Sequence, residues 1–190
     1  MKTKNGLLKN GFKFTLFIGT MILFLGCQPD NPQPNPSGTV LTKWTMTING
    51  QTHSWQGNFP ESSNNNTGGS QYTYSNGNGQ LAFVKDPSQA MFTAQIAKSG
   101  MNSTGTFTIS STNYSATSNA FVINDFSNGV LLTTQYGGNI TVNIQSFPSQ
   151  TASTDISNST IVKGTFSGTV GSSIGALTNV SGSFESIRIN

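Results

Sequence analysis

Residues 40–56 read VLTKWTMTINGQTHSWQ, two alternating runs on either side of Asn49-Gly50. That dipeptide is the strongest short signal for a two-residue hairpin, because a type I′ turn needs positive φ at both central positions. A loop of two also sets the register, so Ile48 faces Gln51, Met46 faces His53 and Trp44 faces Trp55. Side chains alternate along a strand, and these six therefore share one face. Two indoles and the single histidine of the chain meet there. Trp44 and Trp55 can pack as a cross-strand pair inside the fold with His53 at its margin, or stand outward as a platform for sugar rings. Large aromatics fill cores more often than they decorate surfaces, which favours the first arrangement.

The pattern recurs down the chain. Gln71 to Lys85 flanks Asn76-Gly77-Asn78-Gly79, and the expected pairing sets Tyr74 opposite Leu81 and Tyr72 opposite Phe83, a second aromatic face. Ala90 to Lys98 has helix punctuation on both sides, yet Ala90, Phe92, Ala94 and Ile96 alternate with Met91, Thr93 and Gln95, which predicts a strand. Short strands are expected at Gly105–Ser110, Ala120–Phe126 and Val130–Gln135. Gly137-Gly138 then turns the chain into Ile140, Val142 and Ile144. Val162, Gly164, Phe166, Gly168 and Val170 fall on one face of the next strand. In Val180 to Ile189, Gly182 and Phe184 are in phase while Ile187 and Ile189 are not, which predicts a bulge near Glu185. The triplet Gly-[Ser/Thr]-Phe begins at Gly105, Gly164 and Gly182. A glycine beneath a cross-strand aromatic is a recurrent device in curved sheets. The expectation is an all-β fold, an antiparallel β-sandwich or flattened β-barrel of about nine to eleven strands.

Ahead of that domain, Lys2, Lys4, Lys9 and Lys13 precede an apolar run from Phe14 to Gly26, with no acidic residue before Asp30. The run is short of the roughly 20 residues a helix needs to cross a bilayer core. It ends in Leu23-Phe24-Leu25-Gly26-Cys27, the small-residue-then-cysteine order of a bacterial lipoprotein cleavage site. The expected organisation is a signal peptide over 1–26, cleavage between Gly26 and Cys27, a lipidated Cys27 with a Pro-rich tether over 27–38, and one β-rich domain over 39–190. Pro29, Pro32, Pro34 and Pro36 keep the tether extended over roughly 30 Å. Two or three acyl chains, at about 0.8 kcal/mol per buried CH₂, hold such a protein to a membrane with no spanning segment.

Charge narrows the partners. The leader holds four of the nine basic residues, and the five that remain face six acids. A near-neutral chain offers no basic stripe, which excludes nucleic acid. One histidine and one lipidated cysteine make no zinc site, and the scattered acids have no calcium-loop spacing. Gly171-Ser172-Ser173-Ile174-Gly175 fits the G-x-S-x-G elbow of hydrolases, but no helix signal and no histidine follow it. No catalytic residue, metal or cofactor is expected.

Asn49-Gly50 with Trp55, then Gly164-Thr165-Phe166, then Gly182-Ser183-Phe184 make the chain similar to a group of small Bacteroidota lipoproteins with a single β-rich domain. The resemblance covers most of residues 45–189. It implies an outer-membrane, lipid-anchored location and brings no catalytic residue. The expected role is a non-catalytic binding module for a glycan or another extracellular ligand, with Trp44, Trp55, His53, Tyr72 and Tyr74 as candidate contacts. A structural or assembly component of the envelope is the alternative, and a glycan-active hydrolase using two carboxylates a remote one. A binding module requires exposed aromatics or a cavity at one end of the sheets. A structural component requires buried aromatics and a polar surface with an open edge.

Overall fold

A computed structural model describes residues 38–60, 68–85, 92–126, 128–149, 151–152 and 158–189. Eleven strands account for most of it. The opening hairpin joins β1 (Val40–Ile48) to β2 (Gln51–Phe59). Its register is the expected one, Ile48 with Gln51, Met46 with His53 and Trp44 with Trp55. Asn49 (φ 48°) and Gly50 (φ 83°) both take the left-handed conformation that the turn demands.

The second hairpin, β3 (Gly68–Ser75) and β4 (Asn78–Lys85), corrects its expected register by two positions. Tyr74 lies opposite Gly79, Tyr72 opposite Leu81 and Ser70 opposite Phe83. Asn76 (φ 52°) and Gly77 (φ 80°) close the turn alone and leave Asn78-Gly79 inside the strand. The sequence offers two adjacent turn dipeptides, and a slip of two keeps every side chain on its face, so alternation cannot choose between them. Space chooses: a Cβ on Gly79 would stand 2.8 Å from the Tyr72 hydroxyl.

The remaining strands are β5 (Phe92–Ser99), β6 (Gly105–Ser110), β7 (Asn119–Asp125), β8 (Val130–Thr133), β9 (Asn139–Ser146), β10 (Ile161–Ser172) and β11 (Leu177–Ile189). They form two layers. One runs β2-β1-β11-β10-β9-β6 and the other β3-β4-β5-β7-β8. Ile187–Ile189 of β11 pairs with Gln71–Thr73 of β3, and Gly171–Ser172 of β10 pairs with Leu132–Thr133 of β8. These seams lie at opposite ends of the β10–β11 pair, so a single sheet closes on itself, as expected of a sandwich or flattened barrel. Every pairing between strands is antiparallel except β11 with β3, which departs from the all-antiparallel expectation.

The layers enclose Trp44, Met46, Phe166 and Phe184 from one side and Leu81, Phe83, Phe92 and Phe121 from the other. Phe83 lies 6.0 Å from Phe166 and 5.8 Å from Phe184, ring centre to ring centre. Each fully buried side chain of this size contributes about 1.5–3 kcal/mol. Two of the three Gly-[Ser/Thr]-Phe triplets meet on β10 and β11. Gly164 is opposite Phe184 and Phe166 is opposite Gly182. Each ring lies over the other triplet's glycine, and a Cβ on Gly164 would be 2.7 Å from Phe184 Cζ. The third triplet makes no such contact, since a Cβ on Gly105 would meet only Phe107, at 4.0 Å.

The bulge expected near Glu185 is not in β11, whose register with β1 is unbroken up to that residue and whose register with β10 runs unbroken past it. Ile187 breaks phase because it joins a second cluster, with Val40, Ala152 and Ile161, apart from the main core. The irregularity lies two strands away. Lys163 of β10 pairs with Ser146 but Gly164 pairs with Ile144, so Gln145 of β9 is the extra residue.

Candidate functional site

The outer face of the six-stranded layer is built from the residues between the core positions. Register aligns them in ranks across all six strands. One rank runs Ser54, Thr45, Ser183, Thr165, Asn143, Thr106, and the next Thr52, Thr47, Ser181, Ser167, Thr141, Thr108. All are short, uncharged and solvent-facing to some degree. Thr45 and Ser183 hydroxyls lie 2.9 Å apart and those of Thr47 and Thr52 3.0 Å. β-Branched hydroxyl side chains suit exposed sheet, and hydroxyl pairs across strands tie it together.

Charge closes one end of the array. Glu185 sits between Lys43 and Lys163, with Nζ to carboxylate distances of 3.0 and 3.1 Å. Partial burial pushes the Glu185 carboxyl up, but hydrogen bonds and charge from Lys43 and Lys163 outweigh it and hold the group below the usual carboxylate range. Beside this triad, at the Gln145 bulge, is an open recess of about 340 Å³ lined by Lys43, Thr45, Gln145, Lys163, Thr165 and Glu185 among others. Its donors, two ammonium groups, an amide and hydroxyls, suit a polar ligand. It presents no nucleophile–base pair, and among the described residues no group of His, Cys, Asp or Glu could hold a metal ion.

The aromatic candidates lie elsewhere. Trp44 is 1% exposed, stacks on Phe92 at 5.4 Å, and keeps its indole N–H buried without a partner. Tyr72 is fully buried and donates its hydroxyl to the Met101 carbonyl, with Phe147 edge-on at 5.3 Å. Burial pushes its phenol far above the ordinary range, against the opposing charge of Arg188. Neither side chain offers surface to a ligand, so both leave the candidate set. Trp55 is half-buried over Gly68, where a Cβ would stand 2.6 Å from the indole nitrogen. His53 is half-buried and stacks on Phe92 at 4.6 Å, and Tyr74 is half-buried with its hydroxyl 3.4 Å from the Asn102 amide. These three form no shared platform, because each ring is laid against the fold. Gly26 and Cys27 lie outside the described residues. Among the described residues no helix is long and apolar enough to cross a membrane.

Gly171 to Gly175 occupies the end of β10 and the tight turn into β11, where the Gly175 N–H bonds the Ser172 carbonyl at 2.9 Å. No helix follows it. The triad and the bulge were not found by sequence reasoning. Lys43, Lys163 and Glu185 are isolated charges in the chain, and only strand order brings them into one row. The hydroxyl ranks do leave a signal, the regular Thr and Ser between apolar positions of β1, β9, β10 and β11.

No family model, curated protein or solved structure matches this chain.

Proposed function

We propose that the chain is a lipid-anchored, non-catalytic module of the cell envelope, attached to the outer membrane through Cys27 and acting by contact. Between the two forms of contact weighed from sequence, a structural or assembly role has the better support. The observation that carries it is the burial of the aromatics: Trp44 and Tyr72 are enclosed, and Trp55, His53 and Tyr74 lie against the fold. The outer face of the six-stranded layer carries ranks of hydroxyl side chains, and among the described residues β2 pairs with no strand but β1. The leader composition supports the anchor, with four lysines, a short apolar run and Gly26-Cys27.

A second reading, glycan capture, draws on the recess at the Gln145 bulge, since bulges gather where a strand must re-aim a side chain. Fractionation of the Cys27→Ala protein tests the anchor: it is expected in the soluble fraction, and retention in the membrane would refute the assignment. A glycan array separates the two forms of contact. Binding that disappears on Lys163→Ala would favour glycan capture, and no binding would favour assembly.

A further inference from the structure

Natural sheets guard their edges with charged residues, prolines, bulges or short strands, because an open edge templates pairing with another strand. β2 has none of these. Gln51–Phe59 is nine residues long, has no Lys, Arg, Asp, Glu or Pro, and pairs with β1 without a register shift. Among the described residues it has no other strand partner. The opposite edge of the layer, β6, is six residues long and closed at one end, where the Asn119 amide donates to the Ser110 carbonyl at 2.9 Å. We infer that β2 pairs with β2 of a second copy of this chain, antiparallel about a two-fold axis, extending the six-stranded layer into one sheet of two copies. This rests on the assembly reading above.

The geometry fixes which groups meet. Residues flanking a two-residue turn form a hydrogen-bonded pair, so Gln51, His53, Trp55, Gly57 and Phe59 direct their main chain to β1. Thr52, Ser54, Gln56 and Asn58 point theirs outward. The register that uses the whole strand centres on Trp55, places Ser54 opposite Gln56 of the second copy and Thr52 opposite Asn58, and forms on the order of eight main-chain hydrogen bonds. Two-fold pairing sets a strand against its own sequence, which penalises any edge carrying a cluster of like charge; this one carries none.

The test uses the full chain in its membrane. A Ser54→Cys, Gln56→Cys double variant brings each new thiol opposite one on the second copy, within disulfide reach. Mild oxidation is expected to give a dimer band and nothing larger. No cross-link overturns the proposal, and so does a ladder of higher species, which a single two-fold contact at β2 cannot produce. In detergent, Ser54→Lys with Gln56→Lys sets ammonium against ammonium and is expected to halve the particle mass. Ser54→Lys with Gln56→Glu sets opposite charges together and is expected to retain the dimer. Circular dichroism equal to wild type in both confirms that the fold is intact, and identical masses for the two variants would overturn the pairing. The Cys27→Ala fractionation reports on the anchor separately.

Discussion

Gly164→Ala is the sharpest probe of how this core is built. The new methyl would stand 2.7 Å from Phe184 Cζ, and the Asn143 main-chain oxygen is closer still. A ring can tilt, but the carbonyl belongs to β9 and is held in the β9–β10 ladder. Overpacking of this kind costs about 1–3 kcal/mol. Against it, replacing a mid-strand glycine with alanine recovers about 0.5–1 kcal/mol of chain entropy. The net expectation is a loss of about 1–2 kcal/mol, or roughly 4–6 °C in Tm for a domain of this size. Urea unfolding followed by fluorescence should show a lower midpoint at unchanged slope. The reciprocal Gly182→Ala should behave alike, because its methyl would meet Phe166, with Cε1 at 2.9 Å. In a Phe184→Leu background the cost of Gly164→Ala should shrink, the coupling expected of residues in contact. A Gly164→Ala midpoint at or above wild type would refute the claim that close approach dictates this glycine.

Tyr72→Phe leaves the buried Met101 carbonyl without its donor and should cost about 1–3 kcal/mol by urea unfolding. The Tyr72 phenol has its pKa raised by burial, so the stability it carries is complete below the ordinary tyrosine value and falls as pH rises beyond it. In an alkaline absorbance titration one of the four tyrosines should ionise only with unfolding. Glu185→Gln removes a carboxylate whose pKa is lowered, so its contribution is present above the ordinary Glu value and lost as pH falls through the folded one. On this open surface the difference should be under about 1 kcal/mol and shrink in salt, seen as a gap between wild-type and variant urea midpoints that closes in acid. Iodide quenching should barely touch the Trp44 emission that survives in Trp55→Phe and should reach the Trp55 emission left in Trp44→Phe; equal quenching of both would contradict their burial.

Local signals carried most of the strands. Asn49-Gly50 supplied turn type, register and face together, and Ile140, Val142 and Ile144 showed a one-faced strand with no competitor. Where two local solutions were equal, as at Asn76 to Gly79, only the packing of Tyr72 over Gly79 decided between them. Ile187 misled because a phase break has two causes, an extra residue or a second buried surface, and the second depends on Val40, Ala152 and Ile161 arriving from far along the chain. The row of Lys43, Glu185 and Lys163 was beyond reach for the same reason. Each lies on a different strand, and which strands are neighbours is a non-local property.

β11 touches three partners: β1, more than a hundred residues upstream, β10 by a short turn, and β3 in parallel at Ile187–Ile189. Contacts so distant in sequence make folding slow, because loop entropy is spent before they reward it. Until β11 is available, β1 and β2 are a hairpin with no layer to join and the seam to β3 stays open. A chain whose closing strand comes this late stays open along both seams, and it seals only once its eleventh strand has joined the first ten.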